Sequence, residues 1–237
     1  MKQLTLTLLL CWIVTGCAMT PTKDLKGRQY IAFQELEVLT DEEAKTLPRN
    51  ERSQRIRADM ENIGFDIPSV SILIDSVSEA VLSVFHNQYE LLTRYTTVVD
   101  NHKDVMSFIH ANKGKSKEEL KAEAQRFDRL AETQEQKIGP KLEAYRQAND
   151  EIQKENLMLA GKLLVQGGRF LTVFQSSEEM QGAELLSMLL NANKIDDAYE
   201  LAEIRIHLAT IANEFISDEK AVLEITKQIQ DILDDKL

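Results

Sequence analysis

The fold is decided by residues 69–113, which read SVSILIDSVSEAVLSVFHNQYELLTRYTTVVDNHKDVMSFIHANK and contain neither Gly nor Pro. Spacings of three and four residues alternate along this stretch, the pattern that turns one face of an α-helix toward a core. The series consists of Ile67, Val70, Ile74, Val77, Val81, Val84, Gln88, Leu91, Tyr95, Val98, His102, Val105 and Ile109. It predicts one helix of about 45 residues, close to 70 Å long at about 1.5 Å per residue.

A second apolar position widens the face in four successive heptads, at Phe85, Leu92, Val99 and Met106. A face of this width is typical of a member of a helical bundle rather than of a two-stranded coiled coil. The line of residues that one helix turns toward its neighbours is called its seam below. Four polar residues lie in the seams of this helix and the next, and we interpret them as polar layers that fix the register between helices. They are Gln88, His102, Asn149 and Asn156. A pH-sensitive role for His102 is the alternative.

A second helical arm follows the turn at residues 112–116. Its start carries the capping-box sequence Ser-x-x-Glu at 116–119, and the pattern predicts helix as far as Ile138, just before Pro140. The seam resumes as Leu142, Tyr145, Asn149, Ile152, Asn156, Leu159 and Leu163. Two arms of nearly equal length predict an antiparallel hairpin over residues 66–166.

Shorter helices are predicted on both sides of the hairpin. Thr40 and Glu43 form a capping box that opens a short helix, which is interrupted near Pro48 and resumes to Ile63. Gly167-Gly168 is expected to end the second arm, and the next six residues, RFLTVF, are expected to be extended.

The C-terminal helices are predicted over residues 176–237. One helix runs from Ser176 to Asn193, and a last seam contains Leu201, Ile204, Leu208, Ile211, Phe215, Val222, Ile225, Ile229 and Ile232. The unbroken heptad phase favours a single helix from 195 to 237, and a new cap at Ser217-Asp218 is the alternative.

The composition favours an all-α fold. The chain has 9 Gly and 4 Pro in 237 residues, too few for the many turns of a β-sandwich or barrel. We therefore predict an elongated helical bundle with a long antiparallel, coiled-coil-like hairpin. The net charge of −11 would repel a phosphate backbone, so no nucleic-acid partner is expected.

The N-terminus has the layout of a secretory signal. Lys2 is followed by the apolar run Leu4 to Val14, which is too short to span a bilayer as a stable helix. The run ends in Val14-Thr15-Gly16-Cys17, which resembles the lipobox of bacterial lipoproteins.

The resemblance implies a processing route. Val14, Thr15 and Gly16 would be recognised by the signal peptidase, residues 1–16 would be removed, and Cys17 would become the acylated N-terminus. Residues 17–40 would then be a tether and 41–237 the helical bundle domain. Because Ala18 is not Asp, family sorting implies the outer membrane of a diderm, facing the periplasm, or the outer face of the cytoplasmic membrane of a monoderm.

No pattern in the chain points to catalysis. The four histidines lack the Glu-x-x-His and i, i+4 spacings of metal-binding helices, and no Walker or nucleophile-elbow motif is present. We therefore predict no catalytic residue, metal, cofactor or small-molecule substrate. The expected function is that of a structural or protein-interaction module of the envelope, with the bilayer bound through Cys17 and envelope proteins or further copies bound through helical faces.

The alternative is a membrane-active helical protein that resembles the pore-forming cytolysins. Such a protein needs an apolar segment able to insert into a bilayer. The two segments that come nearest are Leu157 to Val165, which contains Lys162, and the short run Leu185 to Leu190.

Overall fold

The computed structural model describes residues 22–23, 29–30, 37–176 and 192–234. The chain divides into two units, Met1–Leu36 and Glu37–Leu237. In the first unit, Thr22–Lys23 (β1) pairs with Gln29–Tyr30 (β2) in a small antiparallel sheet.

The second unit is all-α throughout its described residues, which confirms the predicted fold class. Its helices are α1 (Asp41–Thr46), α2 (Arg49–Ile63), α3 (Ile72–Asn101), α4 (Lys103–Asn112), α5 (Lys117–Asp128), α6 (Ile138–Ser176), α7 (Ala192–Ser217) and α8 (Lys220–Leu233). Both capping boxes are confirmed, at the starts of α1 and α5.

The long antiparallel hairpin is formed by α3 and α4 against α6. Residue numbers rise along the first arm as they fall along α6, and three contacts show this direction. They are Gln88 with Asn156, Arg94 with Glu155, and Asp104 with Lys141. The seam residues of α6 from Leu142 to Leu163 are buried, as the heptad pattern predicts.

Helix α7 packs antiparallel to α6 and completes a three-helix core. Residue numbers rise along α6 as they fall along α7 in three contacts, which are Gln153 with Ile216, Asn156 with Asn213, and Phe170 with Tyr199. Helix α2 covers α3 and α7, with Ile56 and Met60 fully buried.

The start of α6 contributes to a second cluster of buried side chains, together with α4, α5 and α8. The cluster contains Val105, Phe108, Ile109, Leu120, Ala124, Ile138, Leu142, Tyr145, Leu223 and Ile229. It buries apolar residues of the seams predicted for both arms and for the C-terminal segment.

The first arm is not one continuous helix, and the prediction of an uninterrupted 45-residue helix was wrong. It breaks at His102, whose φ of −118° and ψ of 31° lie outside the helical region. The imidazole Nδ1 of His102 lies 2.8 Å from the carbonyl oxygen of Val98, which also accepts the backbone N–H of His102. A side chain that competes for a helix carbonyl in this way weakens the helix locally.

The interruption predicted next to Pro140 occurs earlier in the chain. Helix α5 ends at Asp128 instead of continuing to Ile138, and the Asp128 carboxylate accepts the backbone N–H of Ile138 at 2.8 Å. Helix α6 begins there, which places Pro140 in its first turn. Proline is tolerated in a first turn because its missing N–H has no helical partner there.

The break predicted at Gly167-Gly168 was wrong, and so was the extended segment after it. Helix α6 continues through both glycines to Ser176, a length of 39 residues or about 58 Å. Phe170, 2% exposed, stacks on Tyr199 of α7 with ring centroids 5.1 Å apart. Contact with α7 therefore holds the glycines in helical conformation, and the hairpin extends beyond residue 166.

The C-terminal segment forms two helices where the heptad phase favoured one. Helix α7 ends at Ser217, and α8 starts at Lys220 after Asp218 and Glu219. The helix predicted from Ser176 to Asn193 lies for the most part in 177–191, outside the described residues.

Two of the four predicted polar layers are joined by a hydrogen bond between helices. Gln88 and Asn156 are buried, and Nε2 of Gln88 donates to Oδ1 of Asn156 at 3.0 Å. Asn149 is also buried, but its Nδ2 donates to the Tyr145 carbonyl of its own helix. His102 lies at the break between α3 and α4.

Candidate functional site

The residues of the predicted lipobox, Val14, Thr15, Gly16 and Cys17, lie outside the described residues. Within the described part of the chain, two features stand out. One is a buried polar centre at the break between α7 and α8, and the other is an exposed apolar face on α6.

The polar centre consists of Glu219 and the three side chains that donate to its carboxylate. Glu219 is fully buried, and its Oε2 accepts from the hydroxyl of Tyr95 at 2.6 Å and from Nη2 of Arg49 at 2.6 Å. The hydroxyl of Tyr145 donates to Oε1. These residues come from α2, α3, α6 and the α7–α8 link, so one carboxylate joins four elements.

Both tyrosines remain protonated in this environment. Burial, followed by the negative charge of Glu219, raises the pKa of Tyr95 and of Tyr145 well above the ordinary range of a phenol. Each hydroxyl is therefore a permanent hydrogen-bond donor at physiological pH. Such an arrangement holds the link between α7 and α8, where the Glu219 backbone keeps helical angles (φ −65°, ψ −21°), against α2, α3 and α6.

Sequence reasoning did not identify this centre. Tyr95 and Tyr145 belong to the predicted seams without a polar role, and Ser217-Asp218 is considered only as a possible helix cap. The available signal was the acidic pair Asp218-Glu219 inside an otherwise unbroken apolar heptad phase.

A surface cleft of about 300 Å³ opens beside the polar centre, lined by residues of α2, α3 and α4 together with Phe215 of α7. Its three cations each pair with a carboxylate of the chain. The pairs are Arg49 with Glu219, Arg57 with Glu61, and Lys103 with Asp100. The cleft therefore presents no uncompensated positive charge to an anionic ligand.

The second feature is an exposed apolar face on α6, which we call the α6 stripe. It comprises Leu157, Met158, Gly161, Leu164, Val165, Gly168 and Leu171. Its five large side chains are 69%, 62%, 80%, 59% and 48% exposed in chain order. Leu157, Leu164 and Leu171 are spaced by seven residues, so they lie in one row along the helix.

The stripe lies on the side of α6 that faces away from the core. Leu159 and Leu163 of the buried seam are close in sequence, yet the helical turn of about 100° per residue separates the two faces. The seven stripe residues are uncharged, and the exposed cations Lys154, Lys162 and Arg169 lie beside them.

The two glycines of the stripe are unusual at exposed positions inside a long helix. A Cβ atom added to Gly161 or Gly168 would meet no other atom within 4 Å. Glycine in a helix interior costs roughly 1 kcal/mol relative to alanine. The described chain does not use the space above either residue.

Residues 37–176 and 192–234 contain neither a metal-binding cluster nor a membrane-spanning helix. No group of three His, Cys, Asp or Glu residues in these ranges could hold a metal ion. No helix of the described chain is both long and apolar enough to cross a bilayer. Of the two segments considered for insertion, Leu157 to Val165 lies on α6, and Leu185 to Leu190 lies outside the described residues.

Comparison of the chain with protein-family models, with curated proteins and with solved structures found no match.

Helix α8 is tied to α6 through Glu143. Its carboxylate accepts from Nη2 of Arg146 at 2.8 Å on its own helix and from Nε2 of Gln230 at 2.8 Å on α8. Hydrogen bonds from Arg146, then from Gln230 and Gln147, lower the pKa of Glu143 from 4.5 to about 2. A carboxyl group whose pKa is lower in the folded chain than in the unfolded chain favours folding when it is ionised.

We expect the stabilisation by Glu143 to be present above about pH 4.5 and to disappear as the pH falls toward 2. The variant Glu143→Gln should therefore be less stable than the parent at pH 7, and the difference should shrink through this range. Urea unfolding at a series of pH values measures it. Glu151→Gln, which changes an exposed carboxylate of the same helix, is the control. A difference that is equal at pH 3 and pH 7 would show that the charge of Glu143 does not stabilise the fold.

Proposed function

We propose that this chain is a non-enzymatic lipoprotein of the bacterial envelope, and that its helical bundle binds protein partners through the α6 stripe. The observation that carries the proposal is the exposed, uncharged row of large apolar side chains on a helix whose opposite face is already buried.

The stripe is suited to binding another helix. Contiguous apolar patches on a protein surface commonly mark interaction sites, whereas isolated exposed apolar residues do not. Leu157, Leu164 and Leu171 repeat every seven residues, the spacing with which a helix presents anchors to a partner helix or groove. The glycines between them would let a partner backbone approach closely.

The sequence Val14-Thr15-Gly16-Cys17 supports the membrane anchor. Acylation of Cys17 would hold the chain at the bilayer, because each buried CH₂ of an acyl chain contributes about 0.8 kcal/mol. Residues 17–40 would link the lipid to α1, which starts at Asp41. In a diderm the bundle would then face the periplasm from the outer membrane.

A membrane-active protein is the second candidate, because four of the five large stripe residues fall within Leu157 to Val165, the segment considered for insertion. The stripe occupies one side of α6, and Lys162 and Arg169 stand beside it. This is the pattern of a helix that lies on a lipid surface and not of one that spans it. The candidate predicts contact of the stripe with lipid rather than with protein.

The full chain produced in a diderm bacterium tests the proposal at both of its sites. A photo-crosslinking amino acid at position 164 should form an adduct with protein, and the same group at Leu130, which is 87% exposed but lies off the stripe, should not. A clickable palmitate should label the parent and the Cys11→Ala variant, and it should not label Cys17→Ala.

Each possible failure has a distinct meaning. Palmitate label that persists in Cys17→Ala would contradict the anchor. Adducts with phospholipid alone at position 164 would contradict protein binding and favour the membrane-active candidate. Equal protein adducts at positions 164 and 130 would show that the stripe is not a specific surface.

A further inference from the structure

We propose that the α6 stripe binds the same stripe of a second copy of this chain, antiparallel, with the two-fold axis between Leu164 and Val165. The inference rests on the proposed function, because it names the partner of the surface that the proposed function uses.

Six of the seven stripe residues are arranged symmetrically about the position between Leu164 and Val165. Counting outward from that position, they occur at matching distances on both sides, and only Leu157 falls opposite a polar residue, Thr172 of the second copy. An antiparallel two-fold pairing therefore opposes like with like across the axis. The pairs are Leu164 with Val165, Gly161 with Gly168, and Met158 with Leu171 of the second copy.

The glycines give this pairing its close contact. With no Cβ at Gly161 or Gly168, and with open space above both, the two backbones can approach where these residues oppose each other. The exposed Leu164 side chain then fits between two such gaps on the other copy. A contact of this kind offsets the cost of two glycines in a helix, which nothing in the described chain offsets.

The charges beside the stripe select the antiparallel direction. In a parallel pair in register, Lys154, Lys162 and Arg169 would each lie opposite the same cation of the other copy, which is unfavourable. In the antiparallel pair they lie opposite Gln175, Gly167 and Ala160 of the second copy. No cation then faces a cation across the axis.

The size of the stripe predicts a weak pair in dilute solution. Residues 157–172 extend over about 24 Å, and a helix face about 10 Å wide gives roughly 240 Å² on each copy. A standard stable interface buries about 800 Å² on each partner. Chains held on one membrane surface by lipid have a much higher effective concentration, so the pair should form on the membrane.

Single cysteines in the full membrane-bound chain test the inference. Leu164→Cys lies beside the axis and should form a disulfide-linked dimer with itself on mild oxidation. Met158→Cys and Leu171→Cys should each give no dimer alone, because equivalent positions are about 20 Å apart in the antiparallel pair and a disulfide needs Cα atoms within about 7 Å. Coexpression of these two variants should give a crosslinked pair.

The unsubstituted chain and Leu130→Cys are the controls. The former measures any dimer formed through Cys11 or Cys17, and the latter measures chance collision of exposed thiols on the membrane. Circular dichroism checks that each variant is folded. A dimer from every single position would overturn the antiparallel arrangement, and no dimer above the controls from Leu164→Cys would overturn self-pairing.

Gly161→Ala provides an independent readout with effects of opposite sign. It should raise the midpoint of thermal unfolding, because alanine is the better helix former and the added methyl meets no atom of the chain. It should also lower the crosslinked yield of Leu164→Cys, by about fivefold, because the methyl fills the space that the second copy needs. An unchanged yield would contradict close packing at the glycines.

The same samples separate this inference from the proposed function. A photo-adduct at position 164 that contains a different protein, without a Leu164→Cys dimer, would overturn self-pairing and leave the proposed function standing. A Leu164→Cys dimer that survives in Cys17→Ala would support pairing while contradicting its dependence on the lipid anchor.

Discussion

Replacement of Glu219 by alanine is expected to lower the free energy of unfolding by about 3–5 kcal/mol, because removal of one member of a buried, charged network leaves its partners unpaired. Glu219 is fully buried and accepts from Tyr95, Tyr145 and Arg49. No water replaces these interactions if the cavity stays closed.

Most of this loss in the free energy of unfolding is expected to come from the two tyrosine hydroxyls that lose their acceptor. The side chain of Arg49 is 34% exposed and can regain hydration, whereas the Tyr95 ring is enclosed. The raised pKa of both phenols means that neither can ionise to pair with Arg49 instead. Glu219→Gln should be less damaging than Glu219→Ala, since an amide oxygen still accepts one of the hydrogen bonds.

The neighbouring residue supplies a matched control. Asp218 also pairs with an arginine, Arg52, but its side chain is 55% exposed. Asp218→Ala should cost less than about 1 kcal/mol, as exposed ion pairs usually do. Urea unfolding of both variants and the parent, followed by circular dichroism, measures the difference. Equal losses of unfolding free energy in Glu219→Ala and Asp218→Ala would show that the burial of Glu219 does not increase its contribution to stability.

The heptad pattern predicted the part of the fold that depends on burial. Side chains from Ile74 to Tyr95 on the first arm and from Leu142 to Leu163 on the second are buried as their spacing requires. The capping boxes at Thr40 and Ser116 were also predictable, because they rest on hydrogen bonds within four residues.

The breaks between helices were less predictable, because they depend on contacts between distant residues. Gly167-Gly168 stays helical because α7 packs on Phe170, and the chain bends at Glu219 because Tyr95 and Tyr145 bind its carboxylate. Neither partner can be read from the local sequence. A heptad pattern predicts which side chains are buried, but it does not predict whether they belong to one continuous helix or to two.

The sequence shows that the α6 stripe is apolar, but it does not show that the stripe is exposed. Leu157 to Val165 was noted as an apolar segment, but a run of apolar letters does not separate the buried face from the exposed face. The row of Leu157, Leu164 and Leu171 falls between seam residues such as Leu159 and Leu163. Its exposure follows only once α3 and α7 are placed on the other side of α6.

Asn156→Leu is expected to lower the free energy of unfolding by about 2–4 kcal/mol, since it leaves several buried polar groups without partners. The Asn156 amide accepts from Gln88 at 3.0 Å and from Asn213 at 2.8 Å, and it donates to Ser217 at 3.0 Å. These bonds join α3, α6 and α7 in one layer. Leucine fills a similar volume and offers none of them.

Asn149→Leu, one heptad earlier on the same helix, should be neutral or slightly stabilising. Asn149 is equally buried, but its Nδ2 donates only to the carbonyl of Tyr145 on its own helix, and its Oδ1 has no partner among the described residues. Removal of a buried polar atom without a partner relieves a desolvation cost. If Asn156→Leu and Asn149→Leu lowered the free energy of unfolding equally, the hydrogen bonds between helices would not be the source of the effect.

Gln88→Leu in the Asn156→Leu background separates the two contributions. The single variant Asn156→Leu leaves the Gln88 amide buried without its acceptor, and the Oε1 of Gln88 already lacks a partner among the described residues. Gln88→Leu in this background should therefore recover about 1–2 kcal/mol relative to Asn156→Leu alone, and the single variant Gln88→Leu completes the double-mutant cycle that gives the coupling energy. Zero coupling would mean that the two side chains stabilise the bundle independently. A double variant that costs less than the sum of the two single variants, together with a neutral Asn149→Leu, would show that the layer of Gln88, Asn156 and Asn213 fixes the register of the three long helices.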